Sequence, residues 1–308
     1  MPNSSTLFSI IVPTYNRAHL ISVTIESILS QGYPNYEIII VDDGSTDNTE
    51  EVIQKYLCDK VIYYKKINGE RATARNYGTN KAKGDYVNWF DSDDVMFPDH
   101  LQVAASFVLK CNKPEIFALS HQYQHITGRV LNILTYPEDI NSELYKGNLL
   151  ANSPVIVRRD VALANLFNED RELSGSEDFE LWLRLASKYR ILSSPKITLA
   201  VIDHEERSMI TMTDPDQLIK RFTKFIHYTT SDAGVLSLLG KHKDVFVMKN
   251  YLILAVSLVN NNNPGLGYKY LRLAFASSPA LIFQRGFFAF LKHYAKYMLS
   301  PPLTFQQA

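Results

Sequence analysis

The 308-residue chain is 46% hydrophobic and carries 32 basic against 32 acidic side chains, which excludes a disordered polymer and leaves room for one large α/β domain with an appendage. The charge is unevenly laid: residues 1–214 hold 21 Lys and Arg against 29 Asp and Glu, while 215–308 hold 11 against 3. No apolar run reaches the ~20 residues of a membrane span, and the acidic body argues against nucleic acid as a partner.

Cys58 and Cys111 have neither metal-ligand nor disulfide spacing and read as core or surface thiols of a reducing compartment. The opening MPNSSTLFSIIVPTYNR lacks a cationic leader region, so a cytoplasmic location is expected.

Short apolar runs alternating with amphipathic stretches predict βαβ units through the first ninety residues. Strands are expected at Phe8–Val12, Glu37–Val41, Val61–Tyr64 and Tyr86–Phe90. Residues 18–31 place Leu20, Ile21, Ile25, Ile28 and Leu29 on one helical face, and Ser45-Thr46-Asp47 offers capping oxygens before the next helix. Right-handed crossovers would bring the strand C-termini to one edge, where open α/β sheets bind ligands.

Further on, Glu115–Ser120 reads as a strand. Thr127-Gly128 is expected to turn a hairpin between Gln122–Ile126 and Arg129–Leu134. Ser153–Val157 and Arg190–Leu199 read as extended, and Ser176–Ser187 as a helix with a broad apolar side. Beyond Asp214 the chain reads as helical, interrupted by the turn signal Asn260–Gly265. The expected division is therefore a catalytic body over 1–214, with halves 1–95 and 96–214, and a basic helical region over 215–308.

Polar clusters fall at the expected strand ends. Asp91-Ser92-Asp93 follows the fourth strand. Two hard carboxylates there can share Mn²⁺ or Mg²⁺ with a diphosphate, or they can form an acidic turn. Asp42-Asp43 can accept from a uracil N–H or ribose hydroxyls, or simply shape a turn. Pro13 ends the first strand, and Thr14 and Tyr15 after it can hold a base by backbone contacts and stacking. In the stretch from Asn68 to Gly78, Arg71 and Arg75 lie four apart on a helix face, suited to phosphate or to acidic partners among Asp42, Asp43 and Asp93. Glu177 and Asp178 sit at a helix N-terminus, as caps or as a base for a hydroxyl proton. His204 is a candidate third ligand for the metal or diphosphate.

Together, Ser9–Arg17, Val41–Asp47, Ala74-Arg75-Asn76, Gly84–Asp94 and Glu177-Asp178 resemble the family-2 inverting glycosyltransferases of GT-A fold. The resemblance implies a Rossmann-like, mostly parallel α/β sheet flanked by helices, with the helical C-terminal extension outside the shared core. It implies that Asp42 and Asp43 hold base and ribose, that Asp91 and Asp93 engage metal and diphosphate, and that Asp178 is the base. Pro13, Thr14, Tyr15, Arg17, Asn68, Arg71, Arg75 and Ser92 would complete the donor site. The implied donor is a UDP-sugar and the acceptor a glycan or lipid-linked hydroxyl in surface-polysaccharide assembly.

A nucleotidyltransferase or nicotinamide oxidoreductase would want a glycine-rich loop after the first strand, and Pro13–Arg17 has no glycine. A non-catalytic nucleotide-sugar binder remains a rival. For the tail, Leu281, Ile282, Phe283, Phe287, Phe288, Phe290, Leu291 and Tyr294 share helical stretches with Arg285, Lys292 and Lys296. That pattern is expected to touch a membrane peripherally, or else to pack on the body or form a dimer interface.

Overall fold

The computed structural model describes residues 6–204 and 213–299. The opening residues 1–5 and residues 205–208, which follow His204 in its motif, lie outside the described residues.

Strands β1 (Phe8–Thr14), β2 (Tyr36–Asp42), β3 (Val61–Lys65) and β4 (Tyr86–Trp89) pair in parallel in the order β3-β2-β1-β4. Every residue of β1, β2 and β4 is buried, because helices cover both faces and leave no polar side to alternate with. On one face α1 (Ile21–Leu29) packs Ile21, Ile25 and Ile28 against Phe8, Ile10, Val12, Ile38 and Ile40. The helix begins at Ile21, later than expected, because the backbone still turns at Arg17–Leu20. Next come α2 (Thr49–Gln54), at whose start Asp47 accepts from the Thr49 N–H at 3.0 Å, and α3 (Arg71–Lys81) on the opposite face. Gly78 lets α3 press on the sheet, since a Cβ there would lie 2.4 Å from Ile11 Cγ2.

After β4 the sheet becomes mixed rather than mostly parallel. The chain continues through β5 (Val95–Met96), α4 (His100–Lys110), β6 (Ile116–His125), β7 (Val130–Leu134), β8 (Val155–Arg158), α5 (Arg159–Ala164), α6 (Glu177–Ala186) and β9 (Leu192–Asp203). Among the described residues, β4–β8, β6–β8, β6–β7 and β5–β9 are antiparallel, and β6–β9 is parallel. The cause is connectivity: β8 returns from the loop edge instead of through a helical crossover, so it runs against β4. The Thr127-Gly128 hairpin forms as expected, with Gly128 at φ 91°.

The C-terminal region is helical: α7 (Pro215–Ser231), α8 (Ala233–Leu239), α9 (Lys243–Asn260), α10 (Pro264–Ser277) and α11 (Arg285–Leu299). The break at 260–264 falls where the asparagine run predicts it. Phe225 and Phe246 join the main core, with Phe225 stacked 5.1 Å from Phe179 of α6. A smaller core of Leu218, Phe222, Leu254, Leu258, Tyr270 and Phe290 holds α7, α9, α10 and α11 together.

Candidate functional site

The C-terminal ends of β1, β2 and β4 meet at one edge of the sheet, and the polar motifs are spread along it. At the end of β2, Asp42 is fully buried. Its Oδ1 accepts from the Ser45 N–H at 2.7 Å and its Oδ2 from the Tyr63 hydroxyl at 2.8 Å. Burial and then Asp42 itself push the Tyr63 phenol up, so the hydroxyl stays a donor. Asp43 accepts from Lys66 Nζ at 2.5 Å and from the Gly69 N–H at 3.0 Å. Lys66 also donates to Thr73 Oγ1 at 3.0 Å, which ties the Asp43 loop to the start of α3.

Beside this pair, Thr14 Oγ1 is buried and has no hydrogen-bond partner among the described residues. An orphaned hydroxyl at a ligand edge is a free position for a ligand polar group. Pro13 lies within β1, Ser92 is buried, and Tyr15 is 46% exposed. Asn16, in the left-handed region at φ 51°, closes the loop by accepting from the Thr46 N–H at 2.8 Å, and the Arg17 N–H donates to Thr49 Oγ1. Asn68 is fastened by Arg171, whose Nη2 donates to its carbonyl at 2.7 Å.

Arg75 joins the two acidic motifs. Only 2% exposed, it donates through Nη2 to Asp91 Oδ1 at 2.8 Å and through Nη1 to Glu177 Oε1 at 2.9 Å. Arg71, one turn earlier, places Nε 3.7 Å from the same Glu177 oxygen. The partners expected for these arginines, Asp42, Asp43 and Asp93, are therefore replaced by Asp91 and Glu177. The reason is direction: α3 lies on the sheet face that α6 also covers, so its arginines point toward the N-terminus of α6.

Burial alone would raise the Glu177 carboxyl, but Arg71 and Arg75 outweigh it and hold Glu177 below the usual range. Glu177 also accepts from the Gly175 N–H at 2.6 Å, so it helps fasten the start of α6. Its neighbour behaves oppositely. Asp178 is pushed up to about 7, first by burial and then by the Glu177 charge, with Arg75 pulling the other way. The Phe179 N–H donates to Asp178 Oδ1 at 2.6 Å and Asn148 Nδ2 to Oδ2 at 3.2 Å. Two adjacent carboxylates are thus driven apart, one ionised and one poised near neutrality.

On the other side of Asp91 the chain turns through Asp93 and Asp94. Asp93 Oδ2 lies 2.9 Å from His204 Nε2, just past β9. Asp94 is buried and raised well above the usual carboxylate range by burial and by Asp93 and Asp91. It is held by Ser153 Oγ and by the Ile202 N–H at 3.0 Å. Ser153 Oγ also accepts from the Asp91 N–H at 3.0 Å, fixing the whole turn. Among the described residues no group of three or more His, Cys, Asp or Glu side chains gathers as a metal cage. Asp91 and Asp93 are nevertheless partly open to solvent and accumulate negative charge. Such hard oxygens suit Mn²⁺ or Mg²⁺ when a diphosphate and water supply the remaining ligands.

Sequence reasoning missed Tyr63, Lys66, Asn148, Ser153 and Arg221. Arg221 of α7 is buried beside Glu177 and Asp178 and donates from Nε to Ser176 Oγ at 2.9 Å. Tyr63 is placed by the β2–β3 register, which sets Lys65 opposite Asp42 and a residue two back on the same face, and that register is a property of the fold.

The model of "Glycosyl transferase family 2" matches residues 9–160. An uncharacterized glycosyltransferase of Haemophilus influenzae is 33% identical over 173 residues, 53% of this chain and 68% of that protein. An Escherichia coli UDP-Glc:alpha-D-GlcNAc-diphosphoundecaprenol beta-1,3-glucosyltransferase is 34% identical over 184 residues, 59% of this chain and 71% of that protein. The chain belongs to glycosyltransferase family 2.

Against an uncharacterized glycosyltransferase of Rickettsia felis, 34% identical over 195 residues, the chain spans 31% of the relative's length. Among solved structures, S. aureus TarS 1–349 in complex with UDP-GlcNAc superposes with a TM-score of 0.63 at 19% identity, covering 95% of this chain and 91% of that one. A Pyrobaculum calidifontis mannosyltransferase in complex with GDP-Man and Mn²⁺ gives 0.60 at 17% identity, covering 95% and 85%. These likenesses show the fold: a mixed α/β sheet of GT-A type with a helical C-terminal region.

Proposed function

We propose that the chain is a metal-dependent, inverting glycosyltransferase. It would move a sugar from a nucleoside-diphosphate sugar, in the first place a UDP-sugar, to a hydroxyl of a glycan or lipid-linked acceptor in surface-polysaccharide assembly. The observation that carries this reading is the Arg75 bridge, which locks the Asp91 turn to the Glu177-Asp178 helix start and leaves Asp178 near neutrality. The E. coli relative, by its name, uses UDP-Glc and a diphosphoundecaprenol-linked acceptor, and the two structural neighbours bind UDP-GlcNAc and GDP-Man.

In this reading Thr14, Tyr15, Asp42 and Asp43 receive the nucleoside, with Pro13, Arg17 and Asn68 shaping the pocket around it. Ser92 and the cations Arg71 and Arg75 lie toward the diphosphate. Asp91 and Asp93, with His204 alongside, would hold Mn²⁺ or Mg²⁺, whose charge neutralises the departing diphosphate. Asp178 takes the acceptor's hydroxyl proton as that oxygen bonds to the anomeric carbon. The bond from that carbon to the diphosphate oxygen breaks on the opposite side, the nucleoside diphosphate leaves with the electron pair, and the configuration inverts. Glu177, kept ionised, fixes Arg75 and raises Asp178.

Titration calorimetry of UDP-sugars with Mn²⁺ and with chelator tests the metal and donor assignment. The wild-type chain is expected to bind its donor more tightly with Mn²⁺, and Asp93→Ala to lose about 10–100-fold of that gain. An Asp93→Ala variant with the full metal response would remove Asp93 from the donor site.

A further inference from the structure

We propose that the outer face of residues 282–292 is a docking surface for a membrane bearing anionic lipids. The structure sorts the apolar side chains of this segment into two sets. Leu281 and Phe290 are buried in the helical cores, and Phe287 and Tyr294 pack partly against them, so these four are occupied by the protein itself. Ile282, Phe283, Phe288 and Leu291 are left outside, at 44%, 81%, 61% and 45% exposure.

Phe288 and Leu291 are three apart in α11 and stand at the exposed rim of the face that carries Phe287 and Phe290, the Phe288 ring edge-on to Phe287 at 5.8 Å, with the exposed Arg285 and Lys292 one turn to either side of Phe288. Ile282 and Phe283 precede the helix directly, at the end of the short turn Pro279–Phe283. The result is a patch of aromatic and aliphatic side chains bordered by cations, the composition of an interfacial helix.

Charge selects the occupant. No Asp or Glu occurs after Asp244, so nothing near this segment in sequence offsets Arg285 and Lys292. A twofold contact with a second copy would set these like charges against one another across the axis. Anionic headgroups complement them. The acidic body, with 29 carboxylates against 21 cations over 1–214, would be repelled by the same headgroups, so the charge pattern also orients the molecule with its tail to the lipid. Among the described residues no helix is long and apolar enough to cross a membrane, so the contact is peripheral.

None of these residues belongs to the edge that holds Asp91 and Asp178, so the inference stands apart from the sugar-transfer reading. The test is sedimentation of the full chain with vesicles of phosphatidylcholine alone, and of phosphatidylcholine and phosphatidylglycerol in equal parts. The wild-type chain is expected to sediment with the mixed vesicles and to stay in solution with phosphatidylcholine alone. Two double variants, Phe283→Ser with Phe288→Ser and Arg285→Glu with Lys292→Glu, should each lower the bound fraction about tenfold. The altered side chains are exposed, so melting temperatures should match wild type.

Three outcomes would overturn the proposal. One is a wild-type chain that ignores the mixed vesicles, another is undiminished binding by both variants. The third is a solution dimer that the Phe283 and Phe288 changes convert to monomer while vesicle binding is absent. Donor hydrolysis, measured alongside and expected unchanged in both variants, separates failure here from failure of the sugar-transfer reading.

Discussion

Replacing Arg75 with methionine is expected to lower the free energy of unfolding by about 3–5 kcal/mol, read from urea denaturation. The guanidinium is buried and neutralises Asp91 and Glu177 at 2.8 and 2.9 Å. Methionine would fill most of the volume while leaving the Glu177 carboxylate without its nearest cation. The loss should grow with pH. In the wild type the lowered pKa of Glu177 contributes stability above its ordinary range, which is lost as pH falls through the folded value. In the variant Arg71, 3.7 Å from the same oxygen, is the cation left to Glu177, and taking a proton relieves the remaining cost of burial, so acid narrows the difference between the two proteins. Arg75→Lys should recover little, because one ammonium cannot reproduce the two-armed geometry. Unchanged stability in Arg75→Met at pH 8 would mean that the acidic motifs hold their places without the bridge.

Asp178→Asn carries the largest expected effect on chemistry. Sugar transfer should fall by about 10²–10⁴-fold, the usual contribution of a positioned general base, while donor affinity stays near wild type. Wild-type turnover should rise through pH 7 as Asp178 loses its proton, and the variant should not show that limb. A second effect separates a base from a helix cap. Because the folded pKa is raised from 3.8 to about 7, the neutral form is favoured in the fold, and stability is lost as pH rises between those values. Asparagine removes that loss, so the variant should melt higher than wild type at pH 8 but not at pH 4. A stabilised variant with full transfer activity would leave Asp178 a strained cap and no base.

Among the first four strands, β1, β2 and β4 were legible as largely apolar runs buried on both faces, such as Ile38–Val41, and the half-buried edge strand β3 from its β-branched and aromatic residues. The paired carboxylates at 42–43 and 91–93 were legible because they break those runs abruptly, and the pair at 177–178 because it opens an amphipathic helix. The helix α4 could have been read from Leu101, Ala104, Ala105 and Val108, which follow the helical period. What could not be read was pairing across long sequence separations. Nothing in the sequence joins Arg75 to Glu177, 102 residues away, or Ser153 to Asp94, 59 residues away. Strand direction in the second half was illegible too, because β8 shows the same apolar pattern whichever way it lies. Likewise, helical periodicity marked the apolar stripe of the tail, but only packing against α9 and α10 divided Leu281 and Phe290 from Phe283 and Phe288.

The central claim is that this edge transfers a sugar from a nucleotide donor. Its most direct test is release of nucleoside diphosphate from a panel of nucleotide-sugars by the purified chain, with Mn²⁺, with Mg²⁺ and with chelator, beside Asp178→Asn. Metal-dependent release from one donor, lost on chelation and in the variant, is the predicted result. Donor binding without release under any metal, unaffected by the Asp178 change, would contradict it and leave a nucleotide-sugar binder in place of an enzyme.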